Sequence, residues 1–227
     1  RVAGFRCLSV GRAFNQTIEP TQVAGFNQFF DDIDGTYSWR FGAGLDHRFS
    51  SNIATGIEYS ERKLYIPGYL DSVDRSEQLG RAYLNFTPLS YVALGAEYYF
   101  ERINQPGRPI SGDNALSGGL FDIVETHRVP LSLSLFHPSG FSFKIKNSFV
   151  HQSGVFQNQN TLKSFSDKSD FFVVDLNLSY RLPKRYGMLT LGVNNLFNDK
   201  LAYQNTNINE PIFAPGRTLF SRFTLAY

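Results

Sequence analysis

Val174-Asp175-Leu176-Asn177-Leu178-Ser179-Tyr180-Arg181-Leu182 alternates apolar and polar side chains without a break. A β-strand sends successive side chains to opposite faces. Val174, Leu176, Leu178, Tyr180 and Leu182 therefore share one face, and Asp175, Asn177, Ser179 and Arg181 the other. Three more segments repeat the pattern. Tyr37, Trp39, Phe41, Ala43, Leu45 and Phe49 alternate with Ser38, Arg40, Gly42, Gly44, Asp46 and Arg48. Val92, Leu94, Ala96, Tyr98 and Phe100 oppose Tyr91, Gly95, Glu97, Tyr99 and Glu101, while Phe141, Phe143, Ile145 and Phe149 oppose Ser142, Lys144, Lys146 and Ser148. The final stretch places Leu219, Phe223, Leu225 and Tyr227 on one face, against Thr218, Phe220, Arg222, Thr224 and Ala226.

Weaker alternation fills the intervals Val2 to Ala13, Gln22 to Phe30, Asn52 to Ile66, Ser76 to Thr87, Leu120 to Phe136 and Gly187 to Phe197, giving about eleven to twelve strands. Short turns are expected at Ser50-Ser51, Pro88-Leu89, His137-Pro138-Ser139-Gly140 and Pro183-Lys184-Arg185. Longer polar stretches, Pro67 to Arg75, Gln105 to Gly119, Asn158 to Ser169 and Asn198 to Ala214, alternate with them. Short turns at one end and long loops at the other characterise transmembrane barrels. Many strands exceed the ~9–11 residues that cross a bilayer at a tilt, so they are expected to project beyond it on one side. Counting back from Tyr227, the first strand descends from the loop side, which implies a missing upstream strand. A soluble sandwich would also alternate with regular turns, but with shorter strands and fewer aromatics.

Composition agrees. The chain of 227 residues has 15% aromatics, with 22 Phe and 12 Tyr, and 42% hydrophobic residues, yet a mean hydropathy of only -0.24. Lipid outside and water inside a cylinder account for both values. No run reaches the ~18 apolar residues of a spanning helix. The net charge of +2 argues against a nucleic-acid partner. The single cysteine, Cys7, cannot close an internal disulfide. Arg1 is preceded by no signal peptide, so an exported chain beginning there is processed or a fragment. The fold class expected is all-β: one antiparallel transmembrane β-barrel domain, residues 1–227, truncated at its N-terminus and the C-terminal part of a larger barrel.

Catalytic and metal motifs are scarce. His47, His127, His137 and His151 lie far apart in sequence, with no metal-ligand spacing. Ser60-Glu61-Arg62-Lys63 matches S-x-x-K without companion motifs and reads as chance. Asp31-Asp32-Ile33-Asp34-Gly35 lacks the downstream Glu of a calcium loop and reads as a hairpin turn. Asn15-Gln16-Thr17 matches a glycosylation acceptor, with little meaning in a bacterial envelope. Arg40, Arg48, Glu97, Glu101, Lys144, Lys146, Asp175 and Arg181 are expected to line a solvated lumen of mixed charge, with a slight basic excess. No enzyme activity, cofactor or metal site is expected.

Several motifs resemble the C-terminal barrel of TonB-dependent receptors. Gly192-Val193-Asn194-Asn195-Leu196-Phe197-Asn198-Asp199 resembles the penultimate-strand signature. Pro215-Gly216-Arg217-Thr218 followed by Leu219 to Tyr227 resembles the closing strand. Val173-Val174-Asp175 and Tyr180-Arg181-Leu182-Pro183 fit the late hairpins. Glu19 to Phe30 and Phe136-His137-Pro138-Ser139-Gly140 are similar to a branch in which the barrel follows tetratricopeptide repeats. The resemblance implies a bacterial outer-membrane location and a ~22-stranded barrel. It makes Leu219, Phe223, Leu225 and Tyr227 an insertion signal read by the barrel-insertion machinery. It implies outer-membrane lipid, and either an energy-coupling protein or a periplasmic repeat domain, as partners. No segment resembles the plug or the coupling box. Two functions follow: transport, with a ligand bound or conducted as in a receptor or porin, or a barrel anchor or export pore for a repeat domain.

Overall fold

The computed structural model describes residues 1–8, 22–27, 32, 35–67, 73–105, 121–157, 163–199 and 216–225. Its strands are β1 (Val2–Leu8), β2 (Gln22–Val23), β3 (Phe26–Asn27), β4 (Tyr37–Arg48), β5 (Ile53–Ile66), β6 (Val73–Leu89), β7 (Val92–Asn104), β8 (Phe121–Phe136), β9 (Phe141–Gln157), β10 (Ser164–Arg181), β11 (Gly187–Asn194) and β12 (Thr218–Leu225). All but β2 and β3 form one ten-stranded sheet in the order β1-β4-β5-β6-β7-β8-β9-β10-β11-β12, every pairing antiparallel. One continuous sheet is not a sandwich. Among the described residues no helix is long and apolar enough to cross a membrane.

Four expectations are corrected. First, β1 and β12 do not pair, so the sheet is open rather than a closed cylinder. Second, Gln22 to Asn27, the described part of the Gln22 to Phe30 segment, joins no wall strand. Val23 and Phe26 close a tight hairpin in which Ala24 (φ 48) and Gly25 (φ 83) both take positive φ, the geometry of a type I′ turn. With that hairpin outside the sheet, β1 ascends toward the loop side, because it is antiparallel to the descending β4. Third, β6 runs through Pro88-Leu89, with a register irregularity between Phe86 and Leu89. Proline lacks the ladder donor and is tolerated at such bulges. Fourth, Ser164 to Ser169 belongs to β10, not to a loop. Asn15-Gln16-Thr17, the Gln105 to Gly119 loop beyond Gln105, and most of Asn198 to Ala214 lie outside the described residues.

The register tilts the strands. Arg48–Ala54 is the last pair of the β4–β5 hairpin, and its rung continues through Asn85, Gly95, Ser132, Lys146 and Asp175. The β10–β11 hairpin closes six residues below that rung, at Arg181–Met188. The turns therefore step down by roughly one residue per strand. With a rise of ~3.3 Å and a strand spacing of ~4.8 Å, that stagger corresponds to a tilt of about 35°, within the range of barrel walls.

The two faces differ in burial. Ser38, Arg40, Ser60, Arg62, Glu77, Thr126 and Gln152 are all buried and all project from one side, defined here as the inner face. Trp39, Phe41, Leu45, Ile57, Leu94, Leu131, Phe143, Leu178 and Leu191 are exposed on the other. Part of that burial comes from residues outside the sheet, with Phe26 packed on Gly42 and Asp32 on Arg62. Beyond the rung Tyr59–Gly80–Phe100–His127–His151–Asp170 the polarity inverts. The outer face becomes Glu61, Gln78, Arg102, Glu125, Ser153 and Lys168, one unbroken polar rung. The inner face there acquires two apolar clusters, Leu64-Ile66-Val73 and Ile103-Phe121-Val124-Phe156. The strand extensions thus carry apolar clusters beside charged groups on their inner face, where a solvated lumen of mixed charge was expected.

Candidate functional site: the charged inner face

Alternation brings every expected lining residue to the inner face, at different depths. Arg40 is buried, and its Nη2 donates to Ser60 Oγ at 2.9 Å. Glu97 accepts from Arg81 Nη2 at 2.9 Å and from the Tyr99 hydroxyl. Glu101 is half-buried on the rung between Leu79 and Thr126. Lys144 and Lys146 are exposed, directly across from Asn177 and Asp175. Asp175 Oδ1 accepts the Asn195 N–H at 2.9 Å. Arg48 and Arg181 lie near the turns. Leu219, Phe223 and Leu225 face outward, opposite Val193, Leu189 and Gly187; Tyr227 lies outside the described residues.

The centre of the site was not legible in advance. Arg62 holds Asp32 through Nη1 at 2.8 Å and Nη2 at 3.1 Å, and its Nε donates to Glu77 at 2.9 Å. Arg75 Nε completes the group on Glu77 Oε1 at 2.9 Å. These groups sit beyond the apolar band, since outward-facing Glu61 and Lys63 flank Arg62. Burial works against the Arg62 charge, but Glu77 and Asp32 outweigh it and hold its pKa above the ordinary value. Glu101 lies on the first rung beyond Phe100. Its burial, reinforced by the Glu77 charge, raises its carboxyl pKa despite Arg128 and Arg75. Desolvation and a like charge both favour the neutral acid.

Charge is distributed unevenly along the inner face. The loop-side half pairs its cations, as in Arg62 with Asp32 and Glu77, Arg81 with Glu97, and Arg1 with Glu58. The turn-side half carries Arg48, Lys144, Lys146, Arg181 and Arg222 against Asp46 and Asp175. None of those five cations has an ion-pair partner among the described residues, and Ser132, Ser134, Ser142, Ser179 and Thr190 surround them.

The histidines, distant in sequence, are partly assembled. His127 and His151 share an outer-face rung with ring centroids 6.2 Å apart. His127 Nε2 lies 2.9 Å from Glu125 and its Nδ1 2.7 Å from the Tyr98 hydroxyl, while His151 contacts Asp170. Among the described residues no group of three or more His, Cys, Asp or Glu could hold a metal ion. Ser60 faces inward and Lys63 outward, so the S-x-x-K match makes no catalytic pair.

The asparagine-rich motif before Asp199 has a conformational reason. Asn195 (φ 51) and Asn198 (φ 58) both adopt positive φ, which asparagine tolerates better than most residues. Asn195 Oδ1 accepts the Asp199 N–H at 3.0 Å, and Asn198 Oδ1 accepts the Arg217 N–H at 2.8 Å. The motif turns the chain after β11 and ties the approach to β12. No protein-family model, curated protein or solved structure matches the chain.

Proposed function

We propose that this chain forms wall of a bacterial outer-membrane β-barrel, TonB-dependent-receptor-like, which binds or conducts a polar ligand along its charged inner face. The observation that carries the reading is the outer apolar band, bounded by one polar rung and backed by the charged inner face. On β10 the band runs from Phe172 through Val174, Leu176 and Leu178 to Tyr180, nine residues, matching the ~9–11 that cross a bilayer at a tilt. Phe41 at 56%, Leu45 at 67% and Leu191 at 51% exposure would be a liability in water, where soluble proteins avoid large contiguous apolar patches. Outer-membrane lipid is the solvent that suits them, and the insertion machinery is the partner required to deliver them there.

The single tryptophan, Trp39, lies on the outer face and supplies the test. After reconstitution into vesicles, lipids brominated on the upper acyl chain should quench it and aqueous acrylamide should not. Leu176→Trp in a Trp39→Phe background should respond most to bromines near the bilayer centre. Acrylamide quenching of both probes with no lipid effect would refute the membrane reading.

A further inference from the structure

We infer that the β2–β3 hairpin is an internal strap that constricts the passage along the inner face and sets what can pass. The inference rests on the transport reading above. Phe26 at the hairpin's closing pair is 1% exposed, although the hairpin belongs to no wall strand. Its ring fills a notch made by Gly42. A Cβ there would stand 2.6 Å from Phe26 Cε1 and 2.8 Å from Cζ, so the strap sits where only a glycine leaves room.

Other contacts hold it. The Arg1 guanidinium lies over the Phe26 ring, 5.3 Å from its centroid, and pairs with Glu58 and Asp46 of the wall. Gly44, next along the inner face of β4, leaves the space Arg1 occupies; a Cβ there would meet Arg1 Nε at 2.7 Å. Farther along the same connection, Asp32 grips Arg62 with both oxygens. One apolar pin and one bidentate ion pair, six residues apart in sequence, thus fix Phe26 and Asp32 to the inner surface. Each contact uses a wall residue that alternation turns inward: Gly42, Gly44, Glu58 and Arg62. A connection serving only to join two strands would have no need of a glycine notch beneath an aromatic ring. Placed against the inner face, the strap takes up cross-section beside Arg40 and Arg62. A solute must then pass a narrowed gap with a charged rim.

The test compares the wild-type chain with Phe26→Ser, Asp32→Asn and the double variant in planar bilayers and liposome-swelling assays. Insertion is scored independently through Trp39 quenching. The double variant should conduct severalfold more than wild type and admit larger sugars, with each single variant intermediate. Unchanged conductance and size limit in variants that insert normally would overturn the strap. A second readout needs no conductance: Phe26→Trp in the Trp39→Phe background should resist both acrylamide and brominated lipid. Acrylamide quenching there would place the hairpin in open water and also overturn the inference. Failure of the transport reading would instead show as normal lipid quenching at Trp39 with no conductance or swelling in the wild-type chain or any variant.

Discussion

An arginine scan at three adjacent positions of β10 separates the faces and measures depth together. The apolar band on β10 is centred on Leu176, between Phe172 and Tyr180, and its rung neighbours are Ile145 and Val193. Leu176→Arg puts a charge at the middle of the hydrocarbon, where the cost in a barrel is ~2–4 kcal/mol. Leu178 is 46% exposed and lies two residues nearer the turns. At ~3.3 Å per residue and a tilt of about 35°, it sits about 5 Å off centre, so Leu178→Arg should cost ~1–2 kcal/mol. Asn177 projects inward between Lys144 and Gly192. Asn177→Arg therefore meets only a like charge in a wet space, at about 0.5 kcal/mol.

The assay is a reversible urea titration in lipid vesicles, followed by Trp39 fluorescence and by heat-modifiable mobility on gels. The expected order of damage is Leu176→Arg, then Leu178→Arg, then Asn177→Arg. Equal loss at Leu176 and Asn177 would refute the assignment of faces. Equal loss at Leu176 and Leu178 would spare the faces and refute the depth.

Asn147 lies within the outer band between Leu131 and Val174, and its buried Oδ1 has no hydrogen-bond partner; Asn147→Leu should raise stability by ~1–2 kcal/mol in the same titration. Glu101 has a raised carboxyl pKa, so its favourable contribution is intact below the unfolded value of ~4.3 and fades as pH rises through the folded one. Glu101→Gln should match wild type near pH 4 and exceed it at pH 8; a stability difference independent of pH would contradict this. Lys144→Glu with Lys146→Glu removes two unpaired cations from the turn-side inner face and should shift the reversal potential in a KCl gradient toward cation preference.

Alternation is a local property, and it carried the faces of β4, β7, β9 and β10. From Ser38 to Arg48 and from Asp175 to Arg181, the inward set could be written down without coordinates. What depends on distant partners was illegible. Asp32 sits in a stretch whose Asp and Gly content signals a turn, while its partner Arg62 is thirty residues away. Nothing in Gln22 to Asn27 says whether two short strands join the sheet or fold beneath it. The inversion beyond His127 escaped for a related reason: Val124 and Thr126 still alternate with Ile123 and Glu125, and only the rung partners reveal which set has become apolar. His127 and His151 likewise meet only through the β8–β9 register.

The register of the turns gives the strand tilt. The turns step down six residues between the β4–β5 and β10–β11 hairpins, a matter of register alone. The upper edge of the apolar band is Trp39 on β4, whose rung runs through Lys63, Ser76, Asn104, Ile123 and Val155 to Ser166 on β10. On β10 the band begins at Phe172, six residues lower, but that step falls between β4 and β5: from Tyr59 on β5 and Phe100 on β7 to Phe172 on β10 the edge stays within two residues of one rung. The stagger of the turns, roughly one residue per strand, corresponds to a tilt near 35°. Polarised infrared spectroscopy of oriented bilayers should therefore return an amide tilt of about 35–45° from the membrane normal. Strands lying near the membrane plane, or randomly oriented, would refute the case for a wall immersed in lipid.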